Sequence, residues 1–121
     1  MLFRSNSFDP LIIRIEYRCF EEITNPVFGI EIRTENDIHC FGTNTKLRKL
    51  NLGKIKGHGV INFKIENIPF LIGRYYLTVA AVSEDLSITY DWHDKLYSFS
   101  VLNPTNDSGF IAFSSRFEIA R

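Results

Sequence analysis

Five consecutive positions, Tyr90-Asp91-Trp92-His93-Asp94, bring together an imidazole, two carboxylates and the only tryptophan of the chain. In an extended strand Tyr90 and Trp92 share one face, and Asp91 and His93 share the other. A neighbouring Asp and His can act as a general acid–base pair. No Gly-x-Ser-x-Gly nucleophile motif accompanies them, and no second carboxylate is placed for glycoside hydrolysis, so no catalytic residue is assigned. Asp91 and Asp94 are Ca²⁺ ligand types, but they fall short of the six or so oxygens that ion requires, and no metal ligand is assigned. A partly exposed Trp92 offers different chemistry. Its ring presents a flat apolar surface to the C–H face of a sugar, while Asp91 and His93 supply hydrogen bonds to hydroxyls.

A second concentration of functional groups is NPVFGIEIRTENDIHCFGTNTK, from Asn25 to Lys46. A phosphate cradle needs glycines at set spacing followed by a helix N-terminus. Here Gly29 and Gly42 each lead into strand-like sequence. Zinc needs about four ligands, and His39 and Cys40, as strand neighbours, point to opposite faces. The stretch therefore reads as a hairpin turning at Glu35-Asn36-Asp37, with Gly29 and Gly42 at tightly bent strand ends. Downstream, Lys46, Arg48, Lys49, Lys54 and Lys56 form a basic cluster of the kind usually solvated on loops. Cys19 and Cys40 read as small buried hydrophobes; their spacing leaves a disulfide open.

The elements that must position these groups are strands. The 121 residues suit one domain, 1–121. Eleven Phe and five Tyr, with many Ile and Val, favour pleated, half-buried surfaces. Lys plus Arg equals Asp plus Glu, at 14 each, which gives no global footprint for nucleic acid or an anionic membrane. Two cysteines suit a reducing compartment. Met1-Leu2-Phe3-Arg4-Ser5 lacks the pattern of a secretory leader, and no apolar run approaches the ~20 residues that span a bilayer.

Period-2 alternation runs through residues 11–20, 28–33, 61–66, 75–82 and 97–101, and a last strand is expected within 110–119. Asn25-Pro26, Lys56-Gly57-His58-Gly59, Ile72-Gly73, Ser83-Glu84-Asp85 and residues 103–109 supply turns. Residues 46–57 are the least regular, a loop or a poorly formed edge strand. Short strands at near-regular spacing predict an all-β fold, an antiparallel β-sandwich. In the strand 74–82, Tyr76, Thr78, Ala80 and Val82 form an outward row too apolar for bare solvent, suited to a binding groove or a partner chain.

Asn25-Pro26-Val27-Phe28-Gly29-Ile30, Phe41-Gly42-Thr43-Asn44-Thr45, Gly73-Arg74-Tyr75-Tyr76-Leu77-Thr78-Val79, and Tyr90-Asp91 with Phe99-Ser100-Val101 occur in this order. Together they resemble the carboxy-terminal carbohydrate-binding domain of Wzt-type ATPases, from ABC transporters that export O-antigen polysaccharide. The resemblance extends from about Pro10 to Ile119. It implies an immunoglobulin-like or jelly-roll sandwich that recognises the polysaccharide, often by its modified non-reducing end, and couples recognition to export. It implies a cytoplasmic domain, peripheral to the inner membrane through the transporter. Its implied partners are the nucleotide-binding domain of the same ATPase, the membrane subunit and a second copy, with exchange of the last strand as a route to a homodimer. No Walker A motif is present, so this chain carries no ATPase chemistry; it is either an excised domain or one that stands alone.

The expectation is a non-catalytic glycan-binding module without a cofactor, its site on a concave sheet face. Trp92 and Tyr76 are expected as stacking platforms, Asp91, His93 and Thr78 as hydrogen-bonding groups, and Arg74 as a weaker candidate. The competing expectation is a structural or protein-interaction sandwich that uses the outward row of 74–82 as a dimer surface.

Overall fold

The computed structural model describes residues 4–103 and 105–120. Met1 to Phe3, which open the segment assessed for a leader, lie outside the described residues, as does Pro104 in the turn expected at 103–109. The described chain is all strand: β1 (Arg4–Asn6), β2 (Leu11–Thr24), β3 (Val27–Thr34), β4 (His39–Asn44), β5 (Lys54–Ile65), β6 (Gly73–Val82) and β7 (Thr89–Leu102). They form a five-stranded sheet in the order β1-β7-β6-β3-β4 and a two-stranded sheet of β2 and β5. Every pairing is antiparallel except β1 with β7. This is the expected antiparallel sandwich.

The alternation in each strand assigns its faces. On β3, Ile30 and Ile32 turn inward; on β6, Tyr75 and Leu77 do; on β7, Phe99 and Val101 do. These meet Leu11 and Ile13 of β2, with Ile68 and Phe70 from the connection between β5 and β6. Burying aliphatic and aromatic side chains of this size stabilises by roughly 1.5–3 kcal/mol each. Phe70 stacks on Tyr75 at 4.4 Å, and Tyr75 on Phe99 at 5.6 Å, which ties the connection to the middle of the large sheet. The Tyr75 hydroxyl donates to Leu71 O at 2.9 Å, with Phe110 O at 3.3 Å, so its polar end is satisfied inside the core.

Three local expectations are corrected. Gly29 and Gly42 are not at bent strand ends: both lie within strands, β3 and β4, paired with Asn44 and Glu31 respectively. A β-carbon on Gly42 would approach the His39 ring at 3.1 Å, so that glycine makes room for the imidazole rather than for a turn. The irregular stretch divides, and the turn expected beside it is absent: residues 46–53 form a loop, while Lys54 enters β5, which runs through Lys56-Gly57-His58-Gly59 with only a register shift beside Gly57. Residues 110–119 do not form a strand. Ile111 makes one isolated bridge to Phe70, and beyond Ala112 the described residues carry no ladder. The apolar sequence there has no sheet neighbour among the described residues. Cys19 and Cys40 are both free thiols, and burial pushes the Cys40 thiol up from its ordinary value.

Candidate functional site

The large sheet carries a polar outer face built from lateral rows. One row is Arg4, Ser100 and Arg74, in register across β1, β7 and β6. The next is Ser98, Tyr76, Arg33 and His39 across β7, β6, β3 and β4. Thr78, Glu31 and Gly42 follow, then Trp92, Ala80, Gly29 and Asn44. Directly opposed residues share a face, so each row is a line of side chains facing the same way. Trp92 stands 58% exposed beside the small residues Ala80 and Gly29, which leave its ring unobstructed along the sheet.

In the middle of this face the charges satisfy one another. Arg33 grips Glu31 with two nitrogens, at 2.8 and 3.0 Å, and His39 Nδ1 donates to the same carboxylate at 2.7 Å. The Arg33 hydrogen bond is the main cause holding Glu31 below the usual carboxylate value. Asp37 accepts from Lys95 Nζ at 2.6 Å, which lowers its carboxyl likewise. These partly exposed pairs fix geometry more than they stabilise.

Thr78 is only 5% exposed. Its hydroxyl donates to Asp94 Oδ1 at 3.2 Å and accepts from Lys95 N at 3.0 Å. Those bonds anchor an irregularity in β7, because Val79 pairs with His93 whereas Leu77 pairs with Tyr97. Three residues, Asp94-Lys95-Leu96, stand opposite the single Thr78, with Lys95 at φ 52°. Alternation already puts His93 and Tyr97 on one side; the bulge shortens the distance between them, so that their side chains meet at 2.7 Å.

The six expected site residues therefore divide between two faces. Trp92, Tyr76, Thr78 and Arg74 are on the outer face. Asp91 and His93 open into a cleft of ≈ 890 Å³ between the sheets. There His93 Nε2 lies 3.2 Å from Asp91 Oδ2 and Nδ1 lies 2.7 Å from the Tyr97 hydroxyl. In the neutral ring, donation to the carboxylate leaves Nδ1 to accept from Tyr97. The cleft is otherwise largely apolar, walled by Ile13, Ile15, Tyr17, Phe28 and Val79. Asp91 and Asp94, weighed together for Ca²⁺, diverge: one bonds His93 at the cleft and the other Thr78 on the outer face. Among the described residues no group of three or more His, Cys, Asp or Glu is placed to hold a metal.

Glu31 and Arg33 were not expected in the site, because their alternation marked them only as facing away from the core, and Lys95 reaches Asp37 only because of the bulge. Nor was Tyr97, whose partnership with His93 depends on the bulge. Lys46, from the basic cluster, donates to Glu84 O at 2.9 Å.

A five-stranded and a two-stranded sheet define an all-β sandwich domain, with a largely self-paired polar face that carries an exposed tryptophan. The chain matches the Wzt C-terminal domain family over residues 4–113 and belongs to it, a family linked to O-antigen transporters. Among solved structures it is similar to the crystal structure of the C-terminal domain of Wzt, at a TM-score of 0.72 and 18% identity. That similarity covers 98% of this chain and 74% of the other, and it establishes a shared fold. No curated protein matches the sequence. Among the described residues no helix is long and apolar enough to cross a membrane.

Proposed function

We propose that this domain is a non-catalytic module that binds O-antigen polysaccharide on the outer face of its five-stranded sheet and couples that recognition to export. The observation that carries the proposal is Trp92, more than half exposed on a sheet face where its neighbours are glycine and alanine. An aromatic ring held this way stacks on the apolar face of a sugar ring, and Tyr76 on the same face offers a second platform. From Ala80, beside Trp92, to Tyr76 is four strand residues, about 13 Å, a span suited to an oligosaccharide segment. Thr78 acts by positioning: its hydroxyl is committed to Asp94 and Lys95, and it holds the bulge that sets Trp92. The nucleotide-binding domain and membrane subunit of a transporter are the partners this function calls for, in a cytoplasmic setting.

The test is saturation-transfer NMR and Trp92 fluorescence on the domain with O-polysaccharides of different terminal groups. Weak, saturable binding with a tryptophan response is expected. Full binding retained by the Trp92→Ala, Tyr76→Ala double variant would remove this face as the site.

A homodimer is supported by a separate observation. Phe113, Phe117 and Ile119 are highly exposed beyond the last bridge, while among the described residues one edge of β2, beside the apolar cleft, has no strand partner. Residues 113–119 of one copy laid along β2 of a second would cover both. Light scattering should show a dimer that becomes a monomer when residues 113–121 are removed; a dimer indifferent to that truncation would place the interface elsewhere, the outward row of β6 included.

A further inference from the structure

The outer face has two electrostatic regimes. Its middle rows are closed: Arg33, Glu31, His39, Asp37, Lys95 and Asp94 are each engaged with a neighbour. The end row is open. Arg4 and Arg74 flank Ser100 in register, and neither guanidinium is in an ion pair among the described residues, where every pairing involves other groups. Tyr76 and Ser98, one row further in, bring two more hydroxyls, and none of these side chains is a buried, stranded group.

We propose that this corner binds an oxyanion, a carboxylate or phosphate substituent of the glycan, so that the ligand is an acidic polysaccharide. The proposal rests on the glycan-binding function above and names the substrate class of the same face. Two guanidiniums, which are donors only and carry positive charge, beside three hydroxyls and no carboxylate make a donor-rich set that favours an acceptor-rich anion over a neutral hydroxyl group. Arg4 and Arg74 lie two strand spacings apart, about 9–10 Å between backbones, so their long side chains can converge on one group over Ser100. Arginine suits this task because its planar fork matches carboxylate and phosphate geometry. The self-paired middle rows direct the anion to the end of the face, because an anion over Glu31 or Asp37 would meet a carboxylate already balanced by its own cation. The corner is six residues along β6 from Ala80, about 20 Å, so an acidic unit here and a stacked unit on Trp92 belong to one extended chain.

The experiment is an NMR titration of the whole chain that follows the arginine Nε–H signals and the Trp92 indole N–H. The probes are methyl phosphate, methyl glucuronide and methyl glucoside, with sodium chloride at matched ionic strength as control, and then polysaccharide. The two anionic probes should shift Arg4 and Arg74, with apparent affinity at least tenfold weaker in Arg74→Gln and in Arg4→Gln. Methyl glucoside should leave those signals unmoved. The ratio of the two anionic affinities identifies phosphate or carboxylate as the preferred substituent. Shifts reproduced by chloride, or unchanged in both variants, would overturn the proposal. If Trp92 responds to neutral and acidic polysaccharides alike while the corner ignores both anions, the acidic specificity falls and glycan binding stands. If the corner takes the anions but no polysaccharide moves Trp92, the glycan function falls and this assignment with it.

Discussion

Thr78 and Lys95 are joined across the β6–β7 pair, the buried threonine hydroxyl accepting the lysine amide at 3.0 Å while donating to Asp94 Oδ1 at 3.2 Å. One side chain thereby closes a bulge with Lys95 in the left-handed region at φ 52°, a conformation that needs support from its surroundings. Replacing Thr78 with Val keeps the shape and removes both bonds. The expected cost is about 1–3 kcal/mol in urea denaturation, with a change in Trp92 emission as the bulge relaxes. Thr78→Ser, which keeps the hydroxyl, should restore most of the emission. Equal emission in wild type and Thr78→Val would show that the bulge holds itself.

Tyr17 and Gly59 form a second pair, opposite each other in the β2–β5 ladder. A β-carbon at Gly59 would overlap the Tyr17 ring, so the ring occupies the space that a side chain would take. The same ring meets Phe28 of the other sheet at 5.4 Å. Gly59→Ala should push the ring off both, costing about 1–3 kcal/mol. The double variant Gly59→Ala, Tyr17→Leu should recover part of that loss. Additive losses in the denaturation midpoints would mean that the two positions are independent.

Tyr75 ends in a buried hydroxyl bonded to the Leu71 carbonyl. Tyr75→Phe leaves that acceptor short of a donor and should cost about 1–3 kcal/mol. Burial raises the phenol from 10.0 to about 12. A folded-state pKa above the unfolded one means stability is fully present below pH 10 and declines as pH rises from 10 through 12. The Tyr75→Phe protein should lack that part of the alkaline decline, measured by denaturation at stepped pH. An identical alkaline profile in both proteins would assign the loss to other groups.

Asp85 organises the turn between β6 and β7. It accepts from the Ser87 hydroxyl at 2.7 Å, the Ser83 hydroxyl at 2.7 Å and the Ser87 amide at 3.1 Å. These bonds, the Ser87 hydroxyl's foremost, depress its carboxyl from 3.8 to about 2. The sign is opposite to that of Tyr75. The contribution is present above pH 3.8 and is lost as pH falls from there through about 2. Carboxyl-carbon NMR should place its midpoint near 2, and a midpoint at 3.8 would mean the turn is open in solution.

The faces of most strands were legible because alternation encodes them. Ile30 and Ile32 against Glu31 and Arg33, or Tyr75 and Leu77 against Tyr76 and Thr78, carry their orientation in their spacing. The opposed faces of Trp92 and His93 were legible in the same way. The placement of Tyr97 beside His93 was not, since Asp94-Lys95-Leu96 has the composition of ordinary strand and nothing local marks two looped-out residues. Gly29 and Gly42 misled because glycine commonly marks a bend, whereas Gly42 lies flat in a strand to admit a neighbouring imidazole. Residues 110–119 misled for a different reason. A strand is a relationship between two segments, and an apolar sequence can specify one half of it while the described residues supply no other half.

The pairing of β1 with β7 sets a schedule as well as an edge. Arg4 and Ser100 come from opposite ends of the sequence, so their contact closes a loop spanning nearly the whole domain and must form after the ribosome has released most of the chain. Logarithmic growth of closure entropy makes so long a loop tolerable, and among the described residues it is held by the pairs Arg4–Ser100, Ser5–Val101 and Asn6–Leu102. The corner where Arg4 and Arg74 flank Ser100 is thus completed only when both ends of the domain are in place. Any segment that tugs on the amino terminus has direct leverage over it.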